Sequence, residues 1–197
     1  MTEGQDWEDC YLKTKAEDLP WNAGGPDPDL VRLVQAGRIP LGQALDVGAG
    51  PGHDAVFLIK QGFNVIAIDI SPSAVRLARE NASAAGVFGF FQQGDVRHIP
   101  VEDKFVDVVN DRGCFHALST EDRSKAVNEI HRVLRPRGLF LLRVFSDQEA
   151  PGPGPHRFSR GELEEAFKGK FRILEFWEGR FEGPACPKSY SLLMEKK

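Results

Sequence analysis

The sequence is poor in cysteine, and its three cysteines lie far apart. Cys10, Cys114 and Cys186 form no Cys-x-x-Cys pair. A sparse, odd set of cysteines is typical of a reducing compartment, whereas small secreted domains are rich in paired cysteines. The first nine residues are acidic, which rules out a signal peptide because that signal begins with basic residues. We therefore expect a cytoplasmic protein.

The chain also lacks long apolar runs and basic clusters. No apolar stretch approaches the ~20 residues that a membrane-spanning helix needs, so no membrane is expected as a partner. The formal net charge is −4 with no basic cluster, which argues against nucleic acid. The five histidines show no His-x-x-x-His spacing, so we expect no metal. The oligomeric state stays open. A chain of 197 residues that is 41% hydrophobic is compatible with one α/β domain.

One stretch combines an apolar run, three glycines and a second apolar run. Residues 44–47 predict a strand, and residues 55–59 predict a buried helix. Between them lie Gly48, Gly50 and Gly52. Glycine permits positive φ and lets a ligand lie against the backbone, and a helix N-terminus offers unpaired N–H groups. The pattern predicts a binding turn between a strand and a helix.

Two kinds of ligand fit such a turn. Gly50-x-Gly52-x-x-Ala55 matches the dinucleotide fingerprint, and Asp69 lies near the position of a ribose-binding acid. Asp46, directly before the turn, is unhelpful beside a pyrophosphate. The same carboxylate suits a ligand that carries an ammonium group.

Acidic residues follow the next strands as well. Residues 65–68 predict a second strand that ends at Asp69, and a third, residues 88–93, is followed by Asp95. A fourth, residues 105–109, leads into a polar loop over residues 110–116. In a doubly wound sheet, ligands bind outside the carboxyl ends of the strands. We expect these acids to share one site.

Residues 46–52, Asp-x-Gly-x-Gly-x-Gly, resemble the glycine-rich first motif of class I S-adenosylmethionine (SAM)-dependent methyltransferases. Residues 133–138 resemble that family's turn into the fifth strand, with Arg137 where glycine is common. Residues 20–28 are similar to the small-molecule branch, which includes thiopurine, thiol/halide and tellurite methyltransferases. The resemblance implies SAM as cofactor and in-line transfer of its methyl group to a small-molecule S, O, N or halide nucleophile. The alternatives are a NAD-dependent oxidoreductase and a catalytically inactive SAM-binding protein.

The resemblance covers residues 29–197 and implies one doubly wound, Rossmann-like α/β domain. Its seven-stranded sheet is expected to be mostly parallel, with one antiparallel strand in a C-terminal hairpin formed by residues 171–177 and 190–194. Residues 1–28 are expected to form an N-terminal lid segment whose first nine residues fray.

The resemblance and the strand-tip pattern together give a set of expected site residues. Cofactor binding is assigned to Trp21, Asp46, Gly48, Ala49, Gly50, Asp69, Ile70, Asp95, Val96, Asp111 and Arg112. A soft anionic acceptor needs no base, but a hydroxyl acceptor would, and His116 and Asp111 are the catalytic candidates. Trp21 is either a lid aromatic over the ligand or a plug that packs the segment. Arg143, a charge within the fifth strand, either reaches the pocket or pairs with a carboxylate.

Overall fold

The structure, a computed structural model, describes residues 6–183 and 186–197. Its centre is a seven-stranded sheet in the order β3-β2-β1-β4-β5-β7-β6. The strands are β1 (Gln43–Val47), β2 (Asn64–Asp69), β3 (Phe90–Gln93), β4 (Val106–Arg112), β5 (Leu134–Phe145), β6 (Phe171–Arg180) and β7 (Lys188–Lys196). The helices are α1 (Trp7–Lys13), α2 (Pro28–Gln35), α3 (His53–Lys60), α4 (Pro72–Ala84), α5 (Thr120–Val133) and α6 (Arg160–Phe167). Two short 3₁₀ helices span Ala16–Asp18 and Phe115–Ala117.

The strand directions confirm the predicted fold class. Strands β1 to β5 pair in parallel. Strand β7 inserts between β5 and β6 and runs antiparallel to both, which forms the expected C-terminal hairpin. The connections from β1 to β2, from β2 to β3 and from β4 to β5 each contain a helix. Because β1, β2 and β4 run in parallel, their carboxyl ends meet at one edge of the sheet.

The sheet has an apolar core on each face. Because side chains alternate along a strand, Leu45 and Val47 pack on one face while Ala44 packs on the other. Helices α5 and α6 cover the first face, and α2, α3 and α4 cover the second. At α6 the predicted cap is complete, since Ser159 and Glu162 exchange hydrogen bonds at its first turn.

Strands β4 and β5 extend beyond the bounds that the sequence predicts. Strand β4 continues to Arg112 because Asn110 and Asp111 pair with Leu141 and Leu142 of β5, so part of the expected loop is strand. Strand β5 begins at Leu134, ahead of the predicted start, and an irregularity between Val106 and Val108 accommodates it.

The expected fraying of the N-terminus is wrong for residues 7–9, which begin helix α1. Glu8 holds this helix against α4. Its carboxylate accepts hydrogen bonds from Ser71 Oγ at 2.5 Å, from Ser73 N at 3.0 Å and from Ser73 Oγ at 2.7 Å. These bonds lower the pKa of Glu8 and place a negative charge at the N-terminus of α4. Residues 1–5, also expected to fray, lie outside the described residues.

A buried cluster of charges fastens the N-terminal segment to the sheet. Arg143 of β5 is buried, and its Nη1 lies 2.8 Å from Asp27 Oδ2 and 3.2 Å from Glu182 Oε1. Arg112 of β4 contacts the same two acids, at 3.3 Å and 2.6 Å. Of the two roles open to Arg143, the structure shows pairing with a carboxylate. The cluster joins α2, β4, β5 and the β6–β7 connection.

Replacing Arg143 by Met should destabilise the protein by about 3 kcal/mol, because the buried Asp27 carboxylate loses its shorter ion pair and keeps only the 3.3 Å contact with Arg112. The matched control is Arg76→Met, since Arg76 forms an exposed pair with Glu80 at 3.8 Å. That change should cost less than about 0.5 kcal/mol. Urea unfolding measures both. Equal losses for the two variants would show that the buried cluster contributes nothing beyond a surface pair.

Candidate active site

A cleft of about 480 Å³ opens at the carboxyl edge of the sheet. The turn between β1 and α3 forms its floor, and the N-terminal segment covers one side. Most of the site residues expected from the sequence meet here. The cleft is lined by Trp21, Asp46, Gly48, Ala49, Gly50, Asp69, Ile70, Asp95, Val96, Arg112 and His116, whereas Asp111 is not part of its wall.

The glycine-rich turn is held tightly against its neighbours. Gly52 has a φ of 78°, and a Cβ atom there would lie 2.8 Å from the Cβ of Ala78 in α4. Gly50, with a φ of 51°, donates its N–H to Asp69 Oδ2 at 2.9 Å. A side chain at either position is therefore strained, and the turn presents bare backbone to the cleft.

Asp46 provides a buried carboxylate oxygen with no partner. The residue is 2% exposed, and its Oδ1 accepts a hydrogen bond from Asn110 Nδ2 at 2.8 Å. Its Oδ2 has no partner with hydrogen-bond geometry among the described residues, although the backbone N–H of Ala55 lies close enough to the carboxylate to favour its charged form. Burial, followed by the nearby Asp54 carboxylate, raises the pKa of Asp46 well above its usual range. Such an oxygen at the floor of a cleft is costly unless a ligand donates to it.

Asp54, in the first turn of α3, is the second buried acid beneath the turn. Its Oδ1 accepts the backbone N–H of Asp27 at 2.6 Å, and its Oδ2 shares the Asn110 amide at 3.2 Å. Burial and the charge of Asp27 raise the pKa of Asp54 to about 6. The floor of the cleft therefore concentrates negative charge and favours a cationic group.

Two more acids stand at the tips of the neighbouring strands. Asp69 receives backbone N–H groups on both oxygens, from Gly50 and from Ser71, each at 2.9 Å. Because a carboxylate oxygen has two lone pairs, each oxygen can accept a further bond. Asp95, after β3, is gripped by the Arg97 guanidinium at 2.6–2.9 Å.

The N-terminal segment covers the cleft with aromatic rings. Trp21 donates its Nε1–H to the Tyr11 hydroxyl at 2.8 Å. Its ring lies edge-on to Trp7 at 5.5 Å and to Tyr11 at 5.7 Å. Trp21 therefore packs the segment and faces the cleft at once. Trp7 was missed from the sequence, although its four-residue spacing from Tyr11 is the signal of a shared helix face.

Asp111 does not take the position that the sequence predicts. It is 1% exposed within β4, and its carboxylate accepts the N–H groups of Cys114 at 2.8 Å and Phe115 at 3.1 Å. Burial raises its pKa to about 7. Asp111 fixes the turn after β4, and it is not among the residues that line the cleft.

His116 reaches the cleft from the 3₁₀ helix Phe115–Ala117, but not as a free base. The residue is buried, and its Nδ1 accepts the backbone N–H of Phe145 at 3.1 Å. Burial lowers its pKa to about 3, so the ring is neutral near pH 7. This bond occupies the Nδ1 lone pair, with which a ring protonated on Nε2 would take up a proton; the catalytic role of His116 stays a prediction.

The side of the cleft around His116 is largely apolar. We call it the acceptor wall, and it comprises Leu118, Phe145, Pro155, Phe181 and Pro187 together with His116. Three of its rings touch, because His116 lies 4.7 Å from Phe145 and 5.7 Å from Phe181. Phe145, Phe181 and Glu182 were missed from the sequence, since they come from distant segments that only the fold brings together.

Among residues 6–183 and 186–197, every helix is too short or too polar to cross a membrane. The same residues contain no grouping of three or more His, Cys, Asp or Glu side chains that could hold a metal ion.

The chain is similar to known methyltransferases. A family model described as a methyltransferase domain matches residues 45–142. A 2-heptyl-1-hydroxyquinolin-4(1H)-one methyltransferase from Mycobacteroides abscessus is 30% identical over 174 residues, which are 84% of this chain and 76% of that protein. Thiocyanate methyltransferase 1 from Arabidopsis thaliana is 30% identical over 162 residues, 81% of this chain and 69% of that protein.

Solved structures share the fold. A structure from a study of disulfide-to-thioacetal conversion in echinomycin biosynthesis has a TM-score of 0.86 and 24% identity, covering 97% of this chain and 92% of the other. A SAM-dependent methyltransferase from Aquifex aeolicus has a TM-score of 0.74 and 22% identity, covering 97% and 99%. At these identities the likeness establishes the architecture.

Asp111→Asn tests whether this acid is structural. Because burial raises its folded-state pKa to about 7, above its unfolded value near 4, the folded protein holds the proton more tightly. Asp111 therefore favours folding at low pH, and that contribution is lost as the pH rises from about 4 to about 7. The variant should match wild type at about pH 4.5 and be more stable at about pH 7.5 in urea unfolding.

The control for this test is Asp103→Asn, which changes an exposed carboxylate paired with Arg132. It should show no gain with rising pH. A difference between Asp111→Asn and wild type that stays constant across this pH range contradicts the account.

Proposed function

The chain belongs to the SAM-dependent methyltransferases, and from that premise we propose how it holds SAM and which acceptors it methylates. The observation that carries the proposal is the unpartnered Asp46 Oδ2, buried on the floor of the cleft beneath a bare glycine turn. SAM, when bound, supplies a methyl group made electrophilic by a positively charged sulfur. Its amino-acid end also carries an ammonium group, which is the kind of donor that Asp46 lacks.

Asp69 is proposed to bind the ribose. It stands at the tip of β2, its oxygens keep free lone pairs, and the N–H groups of Gly50 and Ser71 fix its orientation. Two hydroxyls on adjacent ribose carbons can donate to the two oxygens of one carboxylate.

Asp95, Ile70 and Val96 are proposed to hold the adenine. An exocyclic amine donates and a carboxylate accepts, which suits Asp95. Ile70 is 44% exposed although it is apolar, and it lines the cleft together with Val96. An exposed apolar side chain in a cleft favours contact with a flat, apolar ligand surface.

The N-terminal segment, residues 1–28, is proposed to act as a lid over the domain formed by residues 29–197. Trp7, Tyr11 and Trp21 present aromatic rings to the cleft, and a ring face attracts a sulfonium by cation–π interaction. Arg112 contributes by holding the segment, since its Nη1 donates to the Trp21 carbonyl at 3.4 Å and its guanidinium pairs with Asp27.

Positioning is the main work of such a site. Holding acceptor and methyl group in line can supply roughly 7–11 kcal/mol of the barrier through effective molarity. The positive charge on sulfur disperses during transfer, so an enclosed and apolar acceptor wall suits the reaction. The residues of this chain orient the reactants and exclude water.

We propose small apolar or aromatic molecules as acceptors. The acceptor wall supports this, because it is built from phenylalanine, leucine and proline side chains. The names of the relatives refer to small acceptors, of which the hydroxyquinolone is aromatic, whereas thiocyanate and thiol support only the small size. The comparisons give no support to the oxidoreductase alternative.

A cytoplasmic location is proposed because the cysteines, Cys10, Cys114 and Cys186, form no disulfide bonds in the structure. Reduced thiols suit a reducing compartment.

Calorimetry with SAM, S-adenosylhomocysteine and NAD tests the cofactor assignment, and the first two should bind while NAD should not. A panel of thiols, halides, phenols and amines, assayed by S-adenosylhomocysteine production, then tests the acceptor class. Cofactor binding without turnover across the panel would indicate a SAM-binding protein that is not an enzyme. Binding of NAD alone would overturn the proposal.

Asp69→Ala should weaken SAM binding by more than about tenfold, because two hydrogen bonds to a charged group are lost. Asp103→Ala, which removes an exposed carboxylate far along the chain, is the control and should leave the affinity unchanged. Titration calorimetry measures both. Unchanged affinity in Asp69→Ala would mean that the ribose sits elsewhere.

A further inference from the structure

The hydrogen bond to His116 Nδ1 determines where the ring carries its proton. A backbone N–H is only ever a donor, so Nδ1 must accept the Phe145 N–H with its lone pair. A neutral imidazole then carries its hydrogen on Nε2. The ring is held in this orientation by edge contact with Phe145 at 4.7 Å and by Phe181 at 5.7 Å.

The Nε2–H of His116 lacks a protein acceptor. Among the described residues the only hydrogen bond of the ring is the one at Nδ1. His116 nevertheless lines the cleft, and its Nε2 lies on the side of Gly113, at 3.2 Å from where a Cβ atom on that glycine would stand. A donor that faces the cleft without a protein partner is free to bind an acceptor atom on a ligand.

The charges that surround the ring oppose its protonation. Burial is the main cause, and Arg123 of α5, Arg112 of β4 and His156 of the loop before α6 add to it. Glu182 is the nearby acid, but its oxygens are held by Arg112 at 2.6 Å and by Arg143 at 3.2 Å. The ring therefore lies near two guanidinium groups, one on α5 and one on β4.

No other group on this side of the cleft is a suitable base. Both oxygens of Glu182 are paired with arginine side chains. Burial raises the pKa of Glu182, but this pairing brings it below its usual range, so the carboxylate takes up a proton less readily. Burial raises the pKa of the Cys114 thiol, so that group stays neutral. Asp111 binds backbone N–H groups away from the cleft. An acceptor that needs deprotonation finds no partner among these residues.

We propose that His116 is a neutral Nε2–H donor that binds the ionised nucleophilic atom of the acceptor, and that it removes no proton. The acceptor class is accordingly an acidic thiol or an acidic hydroxyl that arrives as its anion. Asp111 is a positioning residue, because its carboxylate fixes the turn that carries His116. This inference rests on the proposed function and narrows its acceptor.

The balance of the transfer agrees with this role. The anionic sulfur or oxygen of the acceptor forms a bond to the methyl carbon with its lone pair. The bond between that carbon and the sulfonium breaks, and its electron pair stays on the sulfur. The acceptor becomes neutral as the sulfonium charge disappears, and no proton moves.

The reaction also predicts how loss of His116 divides between KM and kcat. The hydrogen bond is strongest while the acceptor carries its full negative charge, before the transition state. Removing it therefore weakens binding of the acceptor and does not slow the chemical step. A general base would show the opposite division, since it acts in the transition state.

The first test needs no variant. Long-range ¹H–¹⁵N correlation spectra of the ¹⁵N-histidine-labelled protein report the protonation of each ring nitrogen. His116 should stay neutral with its proton on Nε2 from about pH 5 to about pH 8, unlike an unperturbed histidine. A proton on Nδ1, or an imidazolium in this range, overturns the inference.

The second test compares His116→Gln and His116→Phe with 4-nitrothiophenol and thiophenol as acceptors. Glutamine keeps an N–H donor and an oxygen for the Phe145 N–H, so it should retain most of the activity. Phenylalanine should raise KM by more than about tenfold while kcat changes by less than about threefold. In wild type and in His116→Gln, kcat/KM should rise with pH as each thiol ionises. The pH of this rise should therefore differ between the two thiols.

Opposite results are distinguishable from one another. A collapse of kcat in both variants, or a pH limb that is the same for both thiols and lost in His116→Gln, overturns the donor role. Failure of wild type to methylate either thiol, or 4-nitrophenol as the matched acidic hydroxyl, while binding S-adenosylhomocysteine overturns the acceptor class. Failure to bind S-adenosylhomocysteine overturns the methyltransferase assignment itself.

Discussion

The free oxygen of Asp46 is the feature on which the account of this site depends. A carboxylate oxygen at the end of a central strand costs free energy to bury. Asn110 donates a hydrogen bond to Oδ1 of Asp46 and none to Oδ2. The nearby Asp54 increases the cost by repulsion. A ligand that donates a hydrogen bond to this oxygen offsets the cost of burying it, and the glycine turn leaves space for such a ligand. The floor of the cleft is thus incomplete without a cationic partner.

The rest of the molecule holds this floor and closes it. Glu8 ties the first helix to the N-terminus of α4, and Asp27 ties the following segment to Arg143 and Arg112. Both links use acidic side chains of the N-terminal segment. The aromatic rings between them therefore lie directly over the glycine turn. The same Arg112 and Arg143 hold Glu182 in the β6–β7 connection, so one charge cluster supports both the lid and the acceptor wall.

The sequence predicts the position of a site residue where that position depends on the order of the strands. It does not predict the environment of a residue whose partners come from distant parts of the chain. Acids at the ends of β1 and β2 were predictable, because parallel strands bring their carboxyl ends to one edge. Asp111 has the same appearance in the sequence, yet pairing with β5 extends β4 past it and its carboxylate turns to the local backbone. The state of His116 depends on the N–H of Phe145 in another strand. Helix α1 likewise depends on serines more than sixty residues away from Glu8.

The most direct test is titration calorimetry of wild type and Asp46→Asn with two ligands, S-adenosylhomocysteine and 5′-methylthioadenosine. Both contain the nucleoside, but only the first has the amino-acid end. Asp46→Asn should lower the affinity for S-adenosylhomocysteine by more than about tenfold, because an amide nitrogen cannot accept a hydrogen bond from an ammonium group. The affinity for 5′-methylthioadenosine should change by less than about threefold. Equal losses for both ligands, or no loss for either, would contradict the assignment of the Asp46 oxygen.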